Sequence, residues 1–144
     1  MTRSISLTWA ISALSALPAI SALAVLGAVS QGAYAASPAE QLAGYTAQAG
    51  APAMPARGQS FFTTTHGREW SCASCHGTVP TQTGKHASTG KPIGAMAPAF
   101  NPERFTDAAK TEKWFRRNCN DVLGRTCTAA EKADVLAWLM TLKP

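Results

Sequence analysis

The pentapeptide Cys72-Ala73-Ser74-Cys75-His76 constrains this chain more than any other feature. Two cysteines spaced three residues apart lie on one helical turn, where they can reach the two vinyl groups on one side of a porphyrin. The histidine that follows directly can then offer its imidazole to the iron. The pattern predicts one covalently attached haem c, with thioether bonds from Cys72 and Cys75 and with His76 as the proximal iron ligand.

Two other kinds of site use a Cys-x-x-Cys pair. A thioredoxin-type dithiol needs a βαβ setting, and the sequence predicts none. A zinc site needs two more ligands, and the remaining cysteines, Cys119 and Cys127, have seven residues between them, unlike a second zinc knuckle. Only the first pair is followed by histidine. This asymmetry suggests one haem site and one disulfide.

The first part of the chain has the pattern of an export signal. An apolar, serine- and alanine-rich run extends from Ile5 to about Val29, and Ala33-Tyr34-Ala35 has the small-x-small form of a signal-peptidase site. The run is also long enough for a retained membrane anchor, but Pro18 and the many serines favour cleavage. We therefore predict a signal peptide over residues 1–36, a cytochrome domain over residues 37–144, and a periplasmic location.

The charge balance is mildly basic, with 13 Lys and Arg against 8 Asp and Glu. Removal of residues 1–36 takes away one basic residue, Arg3, and no acidic one. The basic residues are scattered along the sequence, so we expect no nucleic-acid partner. A mild positive field is suited to docking with an acidic redox protein.

Helical patterns dominate the rest of the sequence. Capping boxes at Ser37 and Thr128 predict a helix to about Ala49 and a final helix with Val135, Trp138, Leu139 and Leu142 on its apolar face. Further helices are predicted over residues 56–65 and from Thr106-Asp107 to about Asn118, the latter with Ala108, Ala109 and Phe115 as a partial apolar stripe. Residues 77–102 are rich in proline and glycine and predict a long loop. We expect an all-α domain whose thin core is filled by the haem.

The sixth iron position decides the function. A methionine thioether there favours ferrous iron, as in ordinary electron carriers. Met96 is the one serious methionine candidate, whereas Met54 and Met140 are expected to be structural or exposed. His66 and His86 could ligate as well, but both lie in polar loops, and bis-histidine ligation is the third choice.

The segments Glu112–Asn120 and Gly124–Thr128, with Pro38–Tyr45 and Thr89–Lys91 upstream, closely resemble the sphaeroides haem protein family. Members are oxygen-binding, high-spin cytochromes c of class I. The resemblance includes the second cysteine pair, which common cytochromes c lack. It implies that Asn118 is the distal iron ligand, with Asn120 as its nearest competitor, and that Cys119 and Cys127 form a disulfide. Met96 stands where a member of that family has an aliphatic residue. The possibility that Met96 displaces Asn118 as the iron ligand therefore stays open.

Together these features predict a monohaem electron-transfer cytochrome whose reduced haem binds oxygen or another diatomic gas. By analogy, its redox partners would be a dihaem c-type protein and a membrane b-type cytochrome. An oxygen- or nitric-oxide-consuming haem oxidoreductase is an alternative, but no distal acid or base histidine is evident in the sequence. A conventional methionine-ligated carrier is the other alternative. The sequence favours an electron-transfer and ligand-binding protein over an enzyme.

Overall fold

Five helices and one small hairpin make up the part of the chain that the structure, a computed structural model, describes, residues 36–144. The predicted signal peptide lies outside these residues, apart from Ala36. No helix between residues 36 and 144 is long and apolar enough to cross a membrane. The elements are α1 Pro38–Ala49, α2 Pro55–Thr63, α3 Ala73–His76, β1 Gly84–Lys85, β2 Pro92–Ile93, α4 Ala108–Leu123 and α5 Ala129–Thr141.

Both predicted capping boxes are present. Ser37 and Thr128 each accept a hydrogen bond from the backbone N–H three residues on, and the glutamate at that position bonds back to the cap. Asp107 caps α4 by accepting from the N–H of Lys110. These side chains satisfy N–H groups that have no partner inside the helix, which is why the three helices begin there.

Helix α4 differs from the prediction in length and in its buried face. It continues through Asn118 to Leu123. The expected stripe of Ala108 and Ala109 is wrong, because both are exposed. The buried side chains of the helix are Thr111, Cys119 and Val122, and the apolar face therefore continues a full turn beyond the predicted end.

Helix α5 is the centre of the core and packs against α1 and α2. Val135, Leu136, Trp138 and Leu139 are buried in it, as the apolar pattern predicts for three of them. The crossing with α2 is close at Gly58, where a Cβ would overlap the carbonyl oxygen of Asp134. Only glycine allows the two backbones to approach this far.

Three side-chain contacts from α1 and α5 hold α4 and Phe105, three residues before the helix. Gln41 donates to the carbonyl of Phe105 at 2.6 Å, and Phe105 has a φ of 60°, which bulky residues rarely adopt. The hydroxyl of Tyr45 donates to Glu112 at 2.6 Å, and Lys132 donates to the same carboxylate at 2.7 Å. Helix α4 is therefore positioned by residues far away in the sequence.

The predicted long loop is ordered by its own hydrogen bonds. β1 and β2 pair antiparallel within it, with Gly84 opposite Ile93. The carbonyl of the fully buried Pro80 accepts from the N–H groups of Met96 and Ala97, at 3.0 and 3.2 Å. Arg104 donates to the carbonyls of Gly94 and Ala95, at 2.8 and 2.9 Å. The loop thus keeps a defined course without helical structure.

Candidate haem site

The cysteine-histidine motif forms a single helical turn, α3. The N–H of His76 donates to the carbonyl of Cys72 at 3.1 Å. Before this turn, the N–H of Ser71 donates to the hydroxyl of Ser74 at 3.0 Å, which caps the entry. Cys72 and Cys75 are free thiols. The turn therefore presents two unpaired sulfur atoms and one imidazole from five consecutive backbone positions.

The hairpin of β1 and β2 packs directly on this turn. A Cβ at Gly84 would overlap the carbonyl oxygen of Cys75, so the contact is between two backbones. The N–H of Ala87 donates to the sulfur of Cys75 at 3.2 Å. The hairpin thus fixes α3 from the side of its second cysteine.

The surroundings keep the His76 imidazole neutral. Burial, followed by the nearby positive charge of Arg104 and a smaller electrostatic effect of the His86 ring, lowers the pKa of His76 to about 4. Its ring centroid lies 6.2 Å from that of the fully buried Phe62. Neutral imidazole is the form that ligates a metal. His76 is therefore in its ligating form at neutral pH.

The thiol of Cys72 lies in apolar surroundings. Burial raises the pKa of Cys72 to about 11, and its side chain packs against the core. Reactive dithiols of the thioredoxin type need the opposite, a lowered thiol pKa. The zinc alternative fails on different grounds, because Cys119 and Cys127 are joined in a disulfide with a Cα–Cα distance of 5.6 Å.

Asn118 lies on α4 directly before this disulfide. Its side chain is half-buried, at the edge between the buried face of the helix and solvent, whereas the competing Asn120 is exposed. Both sulfur-bearing residues of the bridge are buried. The bridge ties the residue after Asn118 to the segment before α5, so the backbone that presents Asn118 is fixed at that point.

The other candidates for the sixth position differ in their surroundings. Met96 is half-buried and packs against the core, as Cys72 does. The ring of His66 bonds to the carbonyl of Phe61 at 2.8 Å, and the ring of His86 accepts from the N–H of Thr89 at 3.3 Å. Both histidine rings are thus engaged in their own loops, and Met96 is the more available alternative to Asn118.

Arg104 is the site residue that sequence patterns miss. It is half-buried, and its charge lowers the pKa of His76. Its guanidinium is oriented by carbonyls nine and ten residues earlier in the chain. No local motif marks such an arginine, because its position depends on the course of the loop.

The donor set fits one group. Two free thiols and a neutral imidazole on one turn, backed by apolar core residues, are the attachment chemistry of haem c and not that of a dithiol or zinc centre. Together with the helical fold, they define a c-type cytochrome of the all-α type.

Comparison with known proteins gives the particular family. Residues 48–139 match the model of a domain of unknown function (DUF1924). The chain is 53% identical over 107 residues to cytochrome c-type protein SHP of Cereibacter sphaeroides, covering 72% of this chain and 82% of that protein. The chain belongs to the family of this SHP cytochrome, and its cofactor is haem c, as the sequence predicts.

Solved structures agree with this assignment. Oxidised SHP, an oxygen-binding cytochrome c, superposes with a TM-score of 0.69 at 51% identity, over 74% of this chain and 97% of that one. A solution structure of cytochrome c'' from Methylophilus methylotrophus, concerned with haem-ligand detachment, gives a TM-score of 0.62 at 38% identity, over 74% and 94%. The predicted cytochrome c fold is therefore confirmed.

Proposed function

We propose that this protein is a periplasmic electron-transfer cytochrome whose distal ligand, Asn118, gives way to oxygen or another diatomic gas in the reduced state. The observation that carries the proposal is the position of Asn118, half-buried on α4 and directly before the buried Cys119–Cys127 bridge. The relatives that support it are an oxygen-binding cytochrome c and a protein studied for haem-ligand detachment.

Two residues of α3 and its N-cap residue, Cys72, would hold the haem. Cys72 and Cys75 would form the two thioether bonds, and His76 would donate its neutral imidazole to the iron. When bound, haem c supplies one-electron redox chemistry and an iron position open to small ligands. The hairpin contact at Gly84 would keep the turn fixed under the porphyrin.

Asn118 would occupy the opposite iron position through its amide oxygen. A neutral amide oxygen is a hard and weak donor, so it binds ferric iron better than ferrous iron. In the reduced state the amide of Asn118 would therefore hold the iron weakly, and the haem would supply a position for a gas ligand, whereas a methionine thioether would hold the reduced state more firmly. The weak distal ligand and the gas binding would thus both follow from having an asparagine, and not a methionine, at this iron position.

The disulfide would act on this residue through the backbone. Cys119 is buried and covalently tied to Cys127, one residue before the cap of α5. Since Asn118 is its direct neighbour within α4, the bridge limits how far the amide can move away from the iron. The bridge is therefore a positioning element and not a redox centre in this proposal.

The partners follow from the resemblance and not from any contact in the structure. We propose a dihaem c-type protein and a membrane b-type cytochrome as electron donors or acceptors, and export through a signal peptide that ends near residue 36. A diatomic gas, with oxygen as the first candidate, is the proposed small ligand.

Absorption and electron paramagnetic resonance spectra of the haem-loaded protein test the distal assignment. We expect a high-spin ferric spectrum and rapid binding of carbon monoxide after reduction. Asn118→Ala should change the ferric spectrum, whereas the matched variant Asn120→Ala should leave it unchanged because Asn120 is exposed. A low-spin ferric spectrum with a sulfur-to-iron band would contradict the proposal.

The methionine-ligated carrier is the second candidate, because Met96 is half-buried and packs against the same core cluster as Cys72. Met96→Leu separates the two candidates. If Met96 ligates, the variant loses the sulfur-to-iron band and gains carbon monoxide binding. If Asn118 ligates, Met96→Leu leaves both the ferric spectrum and carbon monoxide binding unchanged.

A further inference from the structure

Unpaired positive charge is concentrated on one helix, α4. Four of its residues, Lys110, Lys113, Arg116 and Arg117, are basic and exposed, and none forms an ion pair within residues 36–144. The one acidic residue among them, Glu112, is already engaged by Lys132 and Tyr45. The field of these four charges is therefore directed to solvent.

Elsewhere the basic residues are paired or isolated. Arg57 pairs with Asp134 and Arg125 with Glu131, while Arg104 donates to backbone carbonyls. Lys85 and Lys91 lie at the exposed hairpin, and Lys143 lies at the chain end. Arg68 is exposed as well, and its guanidinium lies against Gly124 at the end of α4. The overall positive charge of the protein thus has one focus in the described domain, although the basic residues are scattered in the sequence.

The helical repeat places three of the charges on one face. Lys110, Lys113 and Arg117 follow each other at steps of three and four residues, and Trp114 belongs to the same side. We call these four residues the cationic face of α4. The one acidic residue on this side is Asp121, a turn beyond Arg117 and at the far end from Lys110.

Trp114 gives this face an apolar contact point. Its side chain is 41% exposed, and the guanidinium of Arg117 lies 5.7 Å from the ring centroid. Tryptophan and arginine are the residues in which binding energy concentrates at protein interfaces. An exposed tryptophan with cations around it therefore fits a partner surface that offers carboxylates.

The cationic face adjoins the distal residue. At 100° per residue, Trp114 lies between the cations and Asn118 around the helix, and Asn118 follows it by one turn. A protein docked on this face would thus approach on the side of Asn118. On the proposed function, on which this inference rests, that is the distal side of the haem.

We propose that the cationic face of α4 is the docking surface for an acidic redox protein that exchanges electrons with the haem. Charge complementarity identifies the partner class, since opposed potentials steer association and speed the encounter. An anionic membrane fits less well, because Trp114 is the one large apolar side chain on this face and membrane-bound helices need a continuous apolar side.

A surrogate donor tests the surface without knowledge of the natural partner. Flavodoxin, an acidic protein, in its anionic hydroquinone form gives up one electron, becomes the neutral semiquinone, and reduces the ferric haem to ferrous. We expect Lys110→Gln/Lys113→Gln/Arg117→Gln to lower the second-order rate constant by about tenfold at low ionic strength, with the difference shrinking as salt is added.

The matched control removes the same charge elsewhere. Lys85→Gln/Lys91→Gln/Lys143→Gln should change the rate constant by less than about twofold, and reduction by the uncharged lumiflavin semiquinone should be equal in all three proteins. Equal slowing of both triple variants would overturn the proposal, because net charge would then explain the effect. Unchanged flavodoxin rates with loss of binding to phosphatidylglycerol vesicles would overturn it in favour of a membrane.

The outcomes are separable from those of the proposed function. Ligand identity is measured in the ferric and carbon monoxide spectra, whereas docking is measured in the salt-dependent rate. If Met96 proved to be the distal ligand, the gas-binding proposal would fail, and the comparison of the two triple variants would still decide the docking surface.

Discussion

The attachment turn and the distal helix are stabilised in different ways. The turn of α3 is held by contacts near in sequence, from Ser74 to Ser71 and from Gly84 to Cys75. Helix α4 is held by Tyr45 of α1, 67 residues away, by Lys132 of α5, and by its disulfide. The structure of the attachment turn is thus determined by a short stretch of sequence, whereas the position of α4 depends on the assembled fold.

The largest expected effect separates the two cysteine pairs. Cys72→Ser/Cys75→Ser should abolish covalent haem attachment, because no thioether can form. Cys119→Ser/Cys127→Ser, expressed in the same cytochrome-maturing host, should still carry the adduct. Mass spectrometry of the purified proteins measures both. An adduct on the first variant, or none on the second, would reverse the assigned roles of the two pairs.

The next effect concerns the backbone contact of the attachment turn. Gly84→Ala should lower the free energy of unfolding by about 3 kcal/mol, because its Cβ overlaps the carbonyl of Cys75 and the hairpin must move. Gly44→Ala is the matched control. It lies in α1 with open space around it, and should stabilise by up to about 1 kcal/mol. Denaturant titration of the haem-loaded proteins measures both. Equal free energies of unfolding for the two variants would show that the hairpin accommodates the added Cβ without cost.

The distal region should respond to loss of its covalent bridge. Cys119→Ser/Cys127→Ser should lower the free energy of unfolding by about 2.5 kcal/mol, the loop-closure value for a separation of 8 residues. The same variant should broaden the ferric spectrum if the bridge positions Asn118. A stability loss with an unchanged spectrum would restrict the bridge to stabilisation and remove it from ligand control.

The smallest effect concerns Glu112, which links α4 to α1 and α5. Burial alone would raise its pKa, but the hydrogen bonds from Lys132 and Tyr45 outweigh burial and hold the pKa of Glu112 below its usual value. A lowered pKa in the folded state stabilises the protein above the ordinary carboxyl pKa, and this contribution is lost as the pH falls through the lowered value.

Glu112→Gln should therefore cost less than about 1 kcal/mol at pH 7, since the carboxylate is half exposed. The difference from the parent protein should shrink as the pH falls below the ordinary carboxyl pKa and through the lowered pKa of Glu112, where the folded protein itself takes up the proton. Glu103→Gln, at an exposed position, serves as the control. Unfolding curves at pH 7 and pH 3.5 measure the effect, and a difference that grows on acidification would contradict the sign.

Local sequence predicts the regions that local contacts build. The caps at Ser37 and Thr128 and the attachment motif could be located because side chains within a few residues define them. The end of α4 had a local signal too, because Gly124 caps the helix in the left-handed region, but the prediction overlooked it. The predicted apolar stripe of Ala108 and Ala109 fails because the folded domain leaves both exposed and buries Thr111, Cys119 and Val122 instead.

The site shows the same division. Cys72, Cys75 and His76 stand out from their spacing, whereas Asn118 and Asn120 are indistinguishable by spacing and needed a family resemblance. In the structure they differ, since Asn118 is half-buried and Asn120 is exposed. Arg104 has no local signal at all, because its place beside His76 results from the course of the loop between Pro80 and Ala97.

Helix α4 continues for five residues beyond Asn118, and this limits the ways in which an iron ligand at Asn118 could dissociate. A residue inside a bridged helix cannot swing out with its main chain, so the amide of Asn118 has two side-chain torsions with which to withdraw. Rotamer changes at partly exposed side chains take picoseconds to nanoseconds, far less than loop rearrangements. Release of the iron by Asn118 would accordingly need a rotation of its side chain and no movement of the α4 main chain.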